Sequence, residues 1–284
     1  MSELFSRHPR THQGSRYVYP VFARRSRGIS IGINLNPDKK CNFDCPYCQV
    51  DRHVAPEVTE VDEPQLLQEL DAMIGRVTSG ALYDDPRFSA VPPEQRRLND
   101  LAFSGDGEPT SYPRFADLVA HVALQKQRHR LDAVKLVLIT NASLFQRADV
   151  QRGLAILDQN QGEIWAKLDA GTPEYHRLIS RSRVPLKRIL DNLTEAARAR
   201  PLVIQSMFLR MHGDPAPASE IEAWCDRLAD IRAAGGRIDR VQIYTVSRAT
   251  AEPWVTGLDA RELEQIAEAL DRRTGIRSEV FGAT

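Results

Sequence analysis

Short apolar runs recur along the chain, and each is followed by a longer stretch in which apolar residues return every three or four positions. The runs are "GISIGINL" (28–35), "LNDLAFSG" (98–105), "VKLVLITN" (134–141), "EIWAKLDA" (163–170), "LVIQSMFL" (202–209) and "RVQIYTVS" (240–247), and each predicts a strand. The stretches between them carry helical stripes: Leu66, Leu67, Leu70, Met73 and Ile74; then Phe115, Leu118, Val119 and Val122; then Leu186, Ile189, Leu190 and Leu193. Ile221, Trp224, Leu228 and Ile231 form a fourth stripe, and Leu263, Ile266 and Leu270 a last one. The pattern is a repeated βα unit.

Mostly continuous apolar strands alternating with helices imply an α/β fold with a parallel sheet covered by helices. The pattern leaves open a doubly wound sheet or a full or partial TIM-type barrel. Both place their chemistry at the carboxyl ends of strands. The segments there are polar: a cysteine loop after the first strand, "SGDGEPT" after the second, "TNAS" after the third, "KLDAG", "LRMHG" and "SRATAEP" after the rest. The stretch "ALYDDPRFSAVPPEQRR" (81–97) enters the second strand from the opposite end and is expected to be a surface insertion away from the chemistry. Neither internal repeats nor low-complexity segments interrupt the pattern, so a single domain is expected over residues 1–284. It comprises an N-terminal extension (1–28), a core (29–250) and a C-terminal helix and tail (251–284).

Composition narrows the partners. Thirty-eight basic residues balance 38 acidic ones, so the formal net charge is zero and the chain has no global attraction for nucleic acid or anionic lipid. "ARRSRG" (23–28) is a candidate local patch. The N-terminal "MSELFSRHPR" lacks the apolar core of a signal peptide, and no apolar run approaches the roughly 20 residues of a membrane span. The expectation is a cytoplasmic protein with no membrane partner, a compartment in which clustered cysteines bind metal or carry redox chemistry more readily than they form disulfides.

Three of the four cysteines fall within "CNFDCPYCQV" (41–50), spaced C-x3-C-x2-C. Zinc closed by Cys41, Cys45, Cys48 and His53 is one reading. The other is an iron–sulfur cluster, which four cysteines usually hold, so that three would leave one iron open to a ligand that is not protein. Cys225 lies between Ile221 and Leu228 on an apolar helical face and is expected to be a buried small hydrophobe.

The C-x3-C-x-aromatic-C loop after a first strand, with "GEP" after the second, resembles the radical S-adenosylmethionine (SAM) superfamily over roughly residues 17–250. "CNFDCPYCQVDR", "SGDGEPT", "KLDAGTPE" and "VQIYTVSR" are most similar to its wyosine-synthase-like, tRNA-modifying group and their uncharacterised relatives. The resemblance implies a partial (β/α)6 TIM-type barrel with parallel strands. It also implies a [4Fe-4S] cluster on Cys41, Cys45 and Cys48, with SAM chelating the fourth iron and cleaved reductively so that a hydrogen atom is abstracted from substrate. Tyr47 then sits at the family's aromatic position. Gly105, Gly107 and Glu108 match its "GGE" position, with Asp106 intervening, and Glu108 faces the methionyl ammonium. Asn141, Lys167 and Asp169 fall where the family contacts the ribose or the methionyl carboxylate, and Arg210, near Gln205 and His212, can clamp a carboxylate.

Implied partners are an external electron donor of flavodoxin or ferredoxin type and a substrate that is tRNA, a protein or a metabolite. Wyosine-forming enzymes carry further cysteines for a second cluster. Here no cysteine precedes Cys41 and only Cys225 follows Cys48, so no second cluster is expected within this chain. Two other classes stay open: an iron–sulfur electron carrier or redox sensor, and a zinc-stabilised binding module without catalysis.

Overall fold

The computed structural model describes residues 10–23 and 28–282, which leaves most of the arginine-rich stretch at 23–28 outside the described residues. The chain divides into two compact units, the first holding the described residues up to Cys41, with Ala55–Ile139 and Gln146–Glu163, the second Asn42–Val54, Thr140–Phe145 and the remainder from Ile164.

In the first unit, β1 (Val18–Ala23) runs antiparallel to β2 (Gly28–Ile33), which pairs in parallel with β3 (Leu98–Phe103), itself parallel to β4 (Lys135–Thr140). Helix α1 (Glu63–Ser79) starts where Asp62 accepts from the Gln65 backbone N–H and Pro64 occupies the first turn, and it stops at Gly80 in the left-handed region. Leu66, Leu70, Met73 and Ile74 of its expected stripe are buried. Helix α2 (Phe115–Arg128) buries all four residues of the second stripe, and α3 (Ala148–Asp158) follows β4.

The stretch at 81–97 departs from its expected surface character. It folds into two short 3-10 turns, Ala81–Asp84 and Pro93–Gln95, and Leu82, Phe88 and Val91 are buried. Arg96 closes the segment on itself by donating from Nε to the Val91 carbonyl at 2.9 Å and from a guanidinium N–H to the Ser89 carbonyl at 3.0 Å. Isolated apolar residues among prolines and aspartates carry no periodicity, so the pattern does not reveal that they pack inward.

The second unit pairs β5 (Gly162–Lys167), β6 (Leu202–Met207), β9 (Ile238–Tyr244) and β11 (Ser278–Phe281) in parallel, in that order. A smaller antiparallel sheet is built from β7 (Leu209–Met211), β8 (Asp214–Pro215) and β10 (Val255–Gly257). The helices are α4 (Pro173–Ser180), α5 (Leu186–Ala199), α6 (Ala218–Ala233) and α7 (Ala260–Thr274). A capping box between Asp259 and Glu262 opens α7.

All six expected strands form, but each stops before its expected end, so the motif residues lie in the loops that leave β2, β3, β4 and β5 or at their last positions, while Arg210 lies within β7. No helix among the described residues is long and apolar enough to cross a membrane.

Candidate active site

In the first unit, the turn after β3 is fixed by close backbone approach. A Cβ on Gly105 would lie 2.2 Å from Asn34 Oδ1, and one on Gly107 would lie 2.2 Å from the Lys40 carbonyl oxygen, so only glycine fits at either position. Asn34 knits the turn to the end of β2, because its Oδ1 accepts from the Asp106 backbone N–H at 3.1 Å and its amide donates to the Asp106 carboxylate at 2.7 Å. Asp106, the residue between the two glycines, therefore has a structural partner. Burial raises its pKa, while Arg10 and Asn34 oppose the shift.

Glu108 is buried and caps the 3-10 turn Pro109–Ser111; its Oε1 accepts from the Thr110 hydroxyl at 2.5 Å and the Thr110 N–H at 3.2 Å. Arg147 steadies the same turn by donating to the Thr110 carbonyl at 3.0 Å.

In the second unit, residues 42–54 of the cysteine loop are bonded to several chain segments. The Asp44 N–H donates to the Ser180 carbonyl at 2.9 Å, and the Ala251 and Glu252 N–H groups donate to the Cys48 and Pro46 carbonyls at 2.7 and 3.2 Å. Tyr47 donates its hydroxyl to Asp169 Oδ2 at 2.5 Å. Asp169 Oδ1 accepts from the Met207 N–H at 2.8 Å and lies 3.1 Å from Lys167 Nζ.

The Lys167 ammonium donates to the Tyr244 hydroxyl and lies 5.1 and 4.6 Å from the ring centres of Tyr47 and Tyr244. Burial pulls the lysine pKa down, but Asp169 and Tyr244 more than offset this, so it stays protonated and its pKa is raised. Burial likewise holds the Tyr47 hydroxyl in its neutral form, with Asp169 adding to the effect. The Cys45 thiol is pushed up to about 12 by burial, with Tyr47 opposing, Asp169 adding and Lys167 opposing. Beyond Asp169, the chain turns tightly into α4. A Cβ on Gly171 would lie 2.1 Å from the Trp224 backbone nitrogen, and its N–H donates to the buried Glu220 at 2.5 Å.

The other expected residues are placed as follows. Asn141 donates to Asn42 Oδ1 at 2.8 Å, which ties the end of β4 to the cysteine loop. Arg210 is ion-paired with Glu262 at 2.5 Å and also donates to the Gly213 carbonyl. His212 is exposed and stacks on Trp254 with ring centres 4.3 Å apart, as a loop histidine. Cys225 is fully buried beside Trp224, as its apolar face predicts. Among the described residues, no three His, Cys, Asp or Glu side chains converge on a metal-binding geometry, with or without His53.

All four cysteines are free thiols. Three thiols in one loop suit iron as a donor set, and the buried, unpartnered Asn36 Oδ1 beside Gly107 suits a ligand that donates a hydrogen bond, so the donor chemistry of the residues present fits a cluster and SAM. Sequence reasoning passed over Tyr244 and Asn36. Tyr244 ends a strand already singled out, whereas Asn36 carries no signal in the sequence.

Residues 35–214, more than half of the chain, match the Radical SAM superfamily. The chain is 24% identical over 270 residues to the GTPase Obg of Brachyspira hyodysenteriae, covering 93% of this chain and 35% of that protein. It is 25% identical over 231 residues to the UPF0026 protein of Helicobacter pylori, covering 81% of this chain and 65% of the relative. It thus spans less than two thirds of the length of either relative. Among solved structures, TYW1 with a lysine–pyruvate adduct bound superposes with a TM-score of 0.53 at 17% identity, over 89% of this chain and 75% of that one. The shared fold is α/β, the partial TIM-type barrel of parallel strands. On the extent of the superfamily match, the chain belongs to the radical SAM superfamily.

Proposed function

We propose that Cys41, Cys45 and Cys48 hold a [4Fe-4S] cluster at which SAM is cleaved reductively, and that the resulting hydrogen abstraction modifies a tRNA nucleoside. When bound, the cluster and SAM supply the 5′-deoxyadenosyl radical that removes a hydrogen atom from substrate. The chain's own residues bind and position. Gly105 and Gly107 let the turn pack on Asn34 and Lys40, which holds Glu108 in place to pair with the methionyl amino group. Tyr47 and Asp169 anchor the cysteine loop to the end of β5, with Asp169 also reaching the ribose. Asn141, Lys167 and Arg210 complete the polar lining, and a donor of flavodoxin or ferredoxin type brings the electron.

The observation that carries this reading is the bond from Tyr47, inside the cysteine loop, to Asp169 after β5, itself paired with Lys167. An electron carrier needs the cysteines but not a strand-end lattice built around them. The tRNA substrate is supported by the likeness of the motif loops to the wyosine-synthase-like group.

The test is anaerobic reconstitution followed by reduction with dithionite. The chain should take up about four irons and convert SAM to 5′-deoxyadenosine and methionine. Mass spectrometry of tRNA nucleosides from cells with and without the gene should then differ by one modified base. Stoichiometric zinc without iron, or a cluster that yields no 5′-deoxyadenosine even with cell RNA supplied, would overturn the reading.

A further inference from the structure

Asn36, just past the end of β2, is only 6% exposed, and its Oδ1 is buried without a hydrogen-bond partner. The orientation of the amide follows from its neighbours. Ser111 has one hydroxyl proton and donates it to the Glu108 carbonyl at 2.7 Å, so toward Asn36 it can only accept, which it does from Nδ2 at 3.0 Å. The leftover atom is therefore an acceptor, and whatever satisfies it must be a donor. Buried amide oxygens are rarely left unsatisfied in native proteins, and an exception calls for an explanation.

The amide lies directly against the glycine cradle. A Cβ on Gly107 would come within 2.7 Å of Asn36 Cβ and Cγ, and Glu108 is the next residue. Resting on the SAM-binding reading above, we infer that Asn36 Oδ1 accepts a hydrogen bond from the methionyl amino group of the cofactor, as a neutral partner to the Glu108 carboxylate. An amino nitrogen whose lone pair is on iron keeps two N–H donors, and a second acceptor beside the carboxylate lets both be used. A carboxamide adds an acceptor without the repulsion of a second carboxylate beside the first.

Equilibrium binding to the cluster-loaded chain tests this with two probes: SAM, and an analogue lacking only the α-amino group. Asn36→Ala should weaken SAM by about tenfold, the loss of about one hydrogen bond, and leave the affinity for the desamino analogue unchanged. Asn36→Ser, which keeps a neutral acceptor, should restore part of the affinity for SAM. Iron content and melting temperature of each variant confirm that the fold is retained.

Equal SAM affinity in wild type and Asn36→Ala, or an equal loss for both probes, would overturn the assignment of Asn36 while leaving the cofactor reading intact. Equal loss is also what an ordered water at Oδ1 would give. A wild-type chain that binds neither probe would sink the cofactor reading, and Asn36 with it.

Discussion

At the Gly105–Glu108 turn, two glycines bring the backbone up against Asn34 and Lys40, and a buried acceptor on Asn36 is left over. At the end of β5, by contrast, Lys167, Asp169, Tyr47 and Tyr244 bond to one another. A region with unused hydrogen-bonding capacity is suited to taking a ligand. A region whose charges are already paired is suited to holding a loop in place, because any rearrangement would strand a buried charge. On the function proposed above, the first region binds and the second positions, although both occupy the carboxyl ends of strands.

The largest test removes what the positioning lattice is there to hold. Alanine at Cys41, Cys45 or Cys48 should abolish iron uptake on reconstitution, measured as iron per chain and by visible absorption. Cys225→Ala should retain full iron and lose only about 1 kcal/mol of packing. Loss of iron in Cys225→Ala would break the ligand assignment.

Next in size is Asp169→Ala, which leaves the Lys167 ammonium buried without its counter-charge. Breaking one partner of a buried pair costs about 3–5 kcal/mol, which urea unfolding would register. The double variant Asp169→Ala with Lys167→Met should be more stable than Asp169→Ala alone, since the stranded charge goes with its partner. If Asp169→Ala stayed within about 1 kcal/mol of wild type, the lattice would not be the interdependent unit described.

The first unit tolerates buried charge with weaker compensation, which can be read by pH. At the start of β3, burial pushes Asp100 up to about 6 from an ordinary 3.8; the Ser30 hydroxyl and Lys135 oppose this, and Glu163 adds to it. The folded state therefore holds this proton more tightly than the unfolded chain does. That contribution is fully present below pH about 4 and is lost as pH rises through about 6, a swing of about 3 kcal/mol. Asp100→Asn keeps the shape and cannot ionise. It should be more stable than wild type by about 2–3 kcal/mol at pH 8, the two converging near pH 4, in unfolding curves taken across that range. Parallel curves would count against the buried, poorly paired carboxyl.

Much of the fold was legible because it repeats. The apolar runs found β2, β3, β4, β5, β6 and β9, and the stripes found α1, α2, α5, α6 and α7. Strand β1 escaped because Pro20 interrupts it, which an edge strand tolerates. Helix α4 escaped because it buries only His176, Ile179 and Ser180, too few apolar residues to show a period.

The candidate site was legible where its parts are neighbours in sequence. The cysteines share one loop, and "SGDGEPT" is one turn. Tyr47 and Asp169 are 122 positions apart, and Lys167 and Tyr244 are 77 apart, so no local pattern could pair them. The unused oxygen of Asn36 exists only once Ser111 has been folded against it.

The smallest change sharpens the division most closely. Tyr47→Phe deletes one hydroxyl, while the ring that faces Lys167 at 5.1 Å remains. Asp169 still accepts from the Met207 N–H and still pairs with Lys167, so no charge is stranded. Global stability should fall by only about 1 kcal/mol, the ordinary net value of one hydrogen bond. The loop, however, loses its direct tie to the end of β5 between Cys45 and Cys48. Iron content after anaerobic reconstitution should therefore equal that of wild type, while the release of iron to a chelator should be several-fold faster. On the proposed reading, the affinity for SAM should be little changed, since Tyr47 takes no part in the Gly105–Glu108 turn. Unchanged iron release would mean that the bond from Tyr47 to Asp169 does not position the cysteines, and that the remaining ties of the loop, at Asn42, Asp44, Pro46 and Cys48, hold it by themselves.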